Sequence, residues 1–140
     1  MNIFTILAIS VGLVAAEPSE ELTVQQITEA VVQEQLDAYN DADLERFVAT
    51  FSEDMVGVKY PGEILFSGHE GLRKSYGEFF KDGPNHEVFI KNRTVQGNKV
   101  IDVELYSKTG KREDIRPGFF VAIYTVENGK IIRMEFVSAD

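Results

Sequence analysis

Residues 119–138, FFVAIYTVENGKIIRMEFVS, decide the class of fold. Two apolar runs with interspersed polar residues flank Asn128-Gly129, and an Asn-Gly pair favours the two-residue turn of an antiparallel hairpin. The alternation has the period of two of a strand, in which successive side chains point to opposite faces of a sheet. We therefore expect strands at about 115–127 and 130–138.

The same period of two extends back to His86. It predicts two more strands, at about 86–96 and 100–108, and a short strand is expected further upstream at Met55–Tyr60. Four consecutive strands joined by short turns predict an antiparallel meander in the C-terminal half of the chain.

Before the meander, the apolar residues recur with the period of a helix. From about residue 20 to residue 39 they occupy one half of a helical wheel, and a second, short helix follows Asp43. Ser67 and Glu70 have the spacing of a capping box that would begin a third helix. Helices followed by a meander predict an α+β domain, with the helices packed on one face of a bent sheet.

Composition limits the classes of function. The chain has 140 residues, the size of one domain, and its 14 Lys and Arg against 23 Asp and Glu give a net charge of −9. Such a surface repels nucleic-acid phosphates and anionic lipids. Because there is no cysteine and there are only two histidines, we expect no disulfide and no metal or other cofactor. Nucleic acid and membranes are not expected as partners.

An export signal is predicted at the N-terminus. Ile3–Ala16 is an uncharged apolar run, too short to span a bilayer comfortably, and it ends in the small-x-small pattern of a signal-peptidase site. We divide the chain into a signal peptide, 1–16, and a domain, 17–140, and expect a secreted protein. A periplasmic location in a bacterium and a buried helix of a cytosolic protein are the alternatives.

Several short phrases occur in the order and spacing of a known superfamily. They are Asp37-Ala38-Tyr39-Asn40, Phe51-Ser52-Glu53-Asp54, Ser67-Gly68-His69-Glu70-Gly71-Leu72, Val100-Ile101-Asp102-Val103-Glu104 and Glu127-Asn128-Gly129-Lys130-Ile131. Over about residues 22–137 the chain resembles the nuclear transport factor 2-like superfamily, in its SnoaL-like and ketosteroid-isomerase-like branch. The resemblance implies a cone-shaped, curved antiparallel sheet wrapped around three N-terminal helices. It also implies an apolar pocket at the wide end and a homodimer formed through the outer face of the sheet.

The catalytic groups of ketosteroid isomerase are an aspartate base and an oxyanion hole made of a tyrosine and a protonated aspartate. Carried over by the resemblance, the tyrosine position is Gln35, the base position is Lys59 and the second acid position is Val121. An ammonium group cannot abstract a substrate proton, and a valine cannot donate a hydrogen bond. We therefore expect no ketosteroid isomerase chemistry.

The alternation along the strands predicts which side chains face the pocket. The inward set is Ile101, Val103, Leu105, Phe119, Val121, Met134 and Phe136, joined by Gln35, Tyr39, Lys59 and Tyr76 as further ligand-binding candidates. The outward set is Asp102, Glu104, Tyr106, Phe120, Tyr124, Arg133 and Glu135, an aromatic and charged surface typical of a partner interface. Glu104 with Arg93, Arg133 and Glu135 is interpreted as a charge ladder on that outer face, the alternative being a catalytic group.

Four other polar residues have a structural and a functional interpretation. Gln35 lies in the apolar half of the first helix, so its amide needs either a structural partner or a ligand oxygen. His69 and His86 are interpreted as surface residues. Asn92 begins a glycosylation sequon, but a predicted strand makes it a poor acceptor.

Three functions remain open at this point. The first, which the sequence favours, is a secreted, non-catalytic binder of a small hydrophobic molecule, and the other two are alternatives to it. The second is a SnoaL-like isomerase, cyclase or hydrolase acting on a small hydrophobic carbonyl compound, with Gln35 or Lys59 polarising an oxygen. The third is a dimeric association module whose pocket is filled by its own side chains. A pocket below about 300 Å³ would indicate the third.

Export can be tested at the N-terminus of the protein isolated from its source. Because cleavage is expected after Ala16, N-terminal sequencing should begin at or near Glu17. A cytosolic protein that retains Met1 would contradict this prediction.

Overall fold

The structure is a computed structural model that describes residues 21–81, 83–84, 86–116 and 120–138. The predicted signal peptide and Phe119 lie outside these residues. The elements are helices α1 (Val24–Asn40) and α2 (Leu44–Ala49), strands β1 (Phe51–Lys59) and β2 (Glu63–Ser67), helix α3 (Gly68–Phe80), and strands β3 (Glu87–Gln96), β4 (Lys99–Ser107), β5 (Phe120–Glu127) and β6 (Lys130–Ser138).

The six strands form one curved, open sheet in the order β2-β1-β6-β5-β4-β3. Helix α1 packs against strands β3 to β6, so the helices cover one face of the sheet. The predicted α+β class and the cone of helices and curved sheet are confirmed. The sheet is mixed, because β1 runs parallel to β6 while the other pairs are antiparallel.

Strand β2 was not expected from the sequence. It is a short edge strand whose Ile64 and Leu65 are both exposed, at 66% and 46%, so it lacks the buried alternation by which a strand is detected. Gly57 of β1 makes its packing possible. A Cβ atom at that position would lie 2.3 Å from the Phe66 ring, which packs across β1 against Tyr76. Only glycine allows this close approach.

Helices α2 and α3 begin directly after Asp43 and Ser67, as predicted, but the capping contacts differ from the predicted ones. The capping box is at α1, where the Thr23 hydroxyl accepts from the Gln26 backbone N–H at 3.2 Å and Gln26 Oε1 accepts from the Thr23 N–H at 2.8 Å. The predicted box at Ser67 is wrong, because its side chain makes no capping hydrogen bond. His69, predicted at the surface, is half-buried, and its Nε2 lies 2.9 Å from the Phe51 carbonyl oxygen. This contact fixes α3 to β1.

The predicted inner faces of β4 and β5 are wrong. Val100 and Asp102 are 0% and 1% exposed, whereas Ile101 is 40% exposed. Residues paired in register share a face of the sheet, and the pairs Ile101–Ile123 and Val103–Val121 lie on the outer one. Leu105 belongs to the same outer set, because it alternates in phase with Val103 on β4. In β6 the predicted inward Met134 and Phe136 do face inward, where they pair with Tyr124 and Ala122.

A buried ion pair accounts for this reversal. Asp102 is 1% exposed, and Arg93 of β3 donates to its two carboxylate oxygens from Nε and Nη2, each at 2.7 Å. The remaining Nη1 donates to Gln33 Oε1 of α1 at 2.7 Å. Paired and hydrogen-bonded in this way, two charges can be buried, and apolar neighbours such as Ile101 then face outward.

The Arg93–Asp102 pair can be tested by removing one charge. Asp102→Asn leaves the buried guanidinium without its anion, so the free energy of unfolding should fall by about 3–5 kcal/mol in a urea titration. Glu34→Gln is the matched control. It breaks an exposed pair with Arg46, where a loss below about 1 kcal/mol is expected. Equal losses in the two variants would contradict the argument.

Candidate functional site

A cavity of about 620 Å³ lies between the concave face of the sheet and the helices. Every helix and strand except α2 contributes to its wall. The lining consists of Gln35, Leu36, Tyr39, Lys59, Leu65, Tyr76, Phe79, Val88, Glu104, Tyr106, Arg116, Phe120, Tyr124, Met134, Phe136 and Ser138. This volume is well above the roughly 300 Å³ needed for a small organic ligand. The described side chains therefore do not fill the pocket.

Six of the predicted ligand-binding residues line this cavity. They are Gln35, Tyr39, Lys59, Tyr76, Met134 and Phe136. Four others, Ile101, Val103, Leu105 and Val121, are on the outer face, and Phe119 is outside the described residues. That any of these residues binds a ligand stays a prediction.

The wall is less apolar than predicted, because Glu104 points into the cavity from β4. The Tyr124 hydroxyl donates to Glu104 Oε1 at 2.9 Å. Burial raises the pKa of Glu104 to about 7; the hydrogen bond from Tyr124 opposes this rise, and the nearby Asp102 carboxylate adds to it. Glu104 can therefore give or take a proton near neutral pH.

Tyr39, Tyr76 and Tyr124 line the cavity together with this acid. Burial raises the pKa of Tyr39, Tyr76 and Tyr124, and the negative charge of Glu104 adds to the rise at each of them. All three phenols stay protonated at neutral pH and keep an O–H to donate. The rings of Tyr39 and Tyr76 meet edge to face, with centroids 6.2 Å apart, which fixes their orientation.

Gln35 supplies a further donor and acceptor. Its side chain is 6% exposed and lines the cavity, and within the described part of the chain it makes no hydrogen bond. The predicted structural partner for this amide is therefore not found there. Its free amide faces the space that a ligand would occupy, where an oxygen could satisfy it.

His86 is not the solvated residue that its position at a strand start suggested. It is 7% exposed and packs among the rings of Tyr39, Phe79 and Tyr106, with centroid distances of 5.0, 5.9 and 6.1 Å. Burial lowers its pKa, and its Nε2 is without a hydrogen-bond partner among the described residues. His86 therefore stays neutral and packs against the aromatic rings that line the cavity.

The cavity contains functional residues that sequence reasoning assigned to the outer face. Glu104, Tyr106, Phe120 and Tyr124 all line it. The predicted charge ladder is accordingly reduced to Arg133 and Glu135, whose side chains meet at 3.0 Å. One signal in the sequence could have indicated which face points inward. The residues predicted to face outward include the large aromatic rings, which bury more area than the side chains of Ile or Val.

Two of the three positions carried over from ketosteroid isomerase line the cavity. Gln35 and Lys59 do line the cavity, but Val121 faces away from it, so placing the second acid position there was wrong. Glu104 brings a carboxyl group into the cavity from the neighbouring strand β4 instead. Within the described ranges there is no group of three or more His, Asp or Glu able to hold a metal ion. No described helix is long and apolar enough to cross a membrane.

Solved structures with the same fold are numerous. An uncharacterised cystatin-fold protein from Novosphingobium aromaticivorans is 24% identical, with a TM-score of 0.67 over 83% of this chain and 98% of that one. A proposed SnoaL-like polyketide cyclase from Jannaschia is 17% identical (TM-score 0.65; 84% and 89% covered). A proposed ketosteroid isomerase from Kribbella flavida is 16% identical (TM-score 0.63; 84% and 82% covered). At these identities the likeness shows the fold.

Sequence comparison identifies the family. No curated protein matches the chain. The family model of the SnoaL-like domain matches residues 32–134, which run from the middle of α1 to the middle of β6 and include most of the cavity wall. Since this match covers well over half of the 140 residues, the chain belongs to the SnoaL-like domain family, and its fold is that of nuclear transport factor 2-like proteins.

Proposed function

We propose that the protein is a SnoaL-like enzyme that binds a small, mostly apolar carbonyl compound in the cavity and moves a proton on it. The observation on which this rests is the position of Glu104, a buried acid with a pKa raised to about 7 on the wall of an open cavity. A general acid–base works best when its pKa lies near the operating pH. Glu104 takes the acid–base role, for which the sequence-based hypothesis named no residue, since Gln35 and Lys59 were expected only to polarise an oxygen.

The neighbouring groups complete the chemistry. Removal of a proton beside a carbonyl leaves negative charge on the oxygen, and this charge is stabilised by hydrogen-bond donors held in place beforehand. Gln35, Tyr39 and Tyr76 line the same cavity and have donors available. Two of the similar structures are described as a cyclase and an isomerase, which supports this class of activity.

A non-catalytic binder of a hydrophobic molecule is the second candidate. It is supported by the cavity volume and by apolar wall residues such as Leu36, Val88 and Met134. A binder has no need for a titrating carboxyl group, and hence the enzyme is preferred. Secretion stays part of both proposals and rests on the sequence of Ile3–Ala16 alone.

Proton transfer can be tested with 2-tetralone, a small bicyclic ketone with exchangeable α-protons. The protein should accelerate hydrogen–deuterium exchange into this ketone, as measured by NMR, and the rate should rise with pH and level off above about 7, because Glu104 acts as the base once it is ionised. Glu104→Gln should reduce the acceleration about 100-fold or more. Tyr124→Phe removes a hydrogen bond that lowers the pKa of Glu104, so it should move the profile to higher pH.

Glu135→Gln is the matched control for this experiment. Glu135 is on the outer face, where it pairs with Arg133, and the variant should exchange 2-tetralone like the wild type. An exchange rate that does not depend on Glu104, although the ketone binds, would favour the non-catalytic binder.

We also propose a homodimer through the outer face of the sheet, with a different set of residues from the predicted one. Tyr106, Phe120 and Tyr124 line the cavity and so are not available to a partner. The outer face carries instead an apolar patch of partly exposed residues that span β4 and β5, namely Ile101, Val103, Leu105, Val121 and Ile123. Apolar residues at the centre of a patch are typical of homodimer interfaces.

The dimer can be tested by sedimentation velocity at micromolar concentration. Val103→Glu places a charge in the middle of the patch and should shift the protein to the monomer, with an unchanged circular dichroism spectrum. Ile64→Glu is the control, because Ile64 is 66% exposed on the edge strand β2, and this variant should stay dimeric. A wild-type monomer would refute the proposal.

A further inference from the structure

We infer that the natural ligand is an organic acid with an apolar body, whose anionic group is held by Lys59 and Arg116 at the mouth of the cavity. This inference rests on the proposed function, because it concerns the ligand of the same cavity. It adds the chemical class of the ligand and names two residues that recognise it.

Exposure distinguishes the mouth of the cavity from its floor. Lys59, Leu65, Phe79, Arg116 and Phe120 line the cavity and are also exposed to solvent, so they form the rim. Tyr124 and Met134 line it but are almost completely buried, at 3% and 1% exposure, so they belong to the floor. Ser138 lines the cavity and is exposed as well, so the rim combines two cations with three apolar side chains and one hydroxyl group.

Arg116 differs from the other arginines of the chain. Arg46, Arg73, Arg93 and Arg133 each bind a carboxylate, and Arg112 lies over the ring of Phe89 at 4.5 Å. Within the described residues, Arg116 makes neither kind of contact. An arginine left without an anion is notable in a chain with 23 acidic and 14 basic residues. Its guanidinium is free to bind a carboxylate or another oxyanion.

Lys59 is the second cation on this rim that has no ion-pair partner in the part of the chain that the structure describes. It ends β1 on the cavity side, next to Phe136 in register, and among the described residues it forms no ion pair. Among the described residues that line the cavity, Glu104 carries the carboxyl group, and this group already accepts a hydrogen bond from Tyr124. The cavity therefore has positive charge at its mouth, apolar walls and an acid held on its inner face. A molecule with one anionic end and an apolar body matches this distribution.

Two fluorescent probes test the inference, because they differ by a single sulfonate. 8-Anilinonaphthalene-1-sulfonate is the anionic probe, and N-phenyl-1-naphthylamine has the same rings without the charge. The double variant Lys59→Gln/Arg116→Gln should weaken binding of the sulfonate about tenfold or more and change binding of the neutral probe less than twofold. Lys59→Arg/Arg116→Lys keeps both charges and should retain most of the affinity for the sulfonate.

The matched control is Lys74→Gln/Lys108→Gln, which removes two exposed lysines that do not line the cavity. This variant should bind both probes like the wild type, and so should Val103→Glu, which excludes binding on the outer face. Equal losses of both probes in the Lys59 and Arg116 variant, or no loss of either, would overturn the inference and leave the cavity as a binding site. Failure of both probes to bind the wild type would overturn the proposed function together with the inference.

Discussion

The ion pair between Arg93 and Asp102 determines how the sheet is oriented and therefore which residues form the cavity. Asp102 occupies an inward position on β4 because Arg93 satisfies both of its oxygens at 2.7 Å. Since side chains alternate along a strand, Glu104 and Tyr106 then also face inward, and so do Phe120 and Tyr124 on the next strand. A shift of one residue would remove the acid from the cavity and place Ile101 and Val103 inside.

The same pair shapes the environment of Glu104 without neutralising it. Asp102 adds to the rise that burial causes in the pKa of Glu104, whereas Arg93 opposes it, and both charges act more weakly than burial itself. The hydrogen bond from Tyr124 is then the largest influence that favours the ionised form. The ion pair that orients β4 thus also places Glu104 on the cavity wall, where burial raises the pKa of its carboxyl group to about 7.

Local signals in the sequence were sufficient to predict the three helices and every strand except β2. The Asn128-Gly129 turn is observed with φ angles of 50° and 70°, as a primed two-residue hairpin requires. Strand β6 has the predicted bounds, whereas β5 begins at Phe120 and not at the predicted residue 115. Gln35, Tyr39 and Tyr76 were also correctly expected at the pocket, because a helical wheel or a family position fixed their direction.

The face of β4 and β5 that points into the cavity could not be predicted in the same way, because both faces of these strands carry apolar residues. Ile101, Val103 and Leu105 form a simple alternating apolar set on β4. The residues that alternate with them include Tyr106 and the acidic member of an ion pair, whose basic member lies on β3. The deciding partner of Asp102 is nine residues away, on another strand. A non-local contact of this kind has no signature in the hydrophobic pattern of one strand.

The distribution of tyrosine gives the cavity an intrinsic optical signal. The chain has no tryptophan and five tyrosines, and four of these, Tyr39, Tyr76, Tyr106 and Tyr124, line the cavity, while Tyr60 is 62% exposed on the β1–β2 turn. Most of the tyrosine absorption and emission of the folded protein therefore originates at the walls of one site. A molecule that enters it changes the surroundings of most of the chromophores at once, so occupancy can be followed in the unlabelled protein.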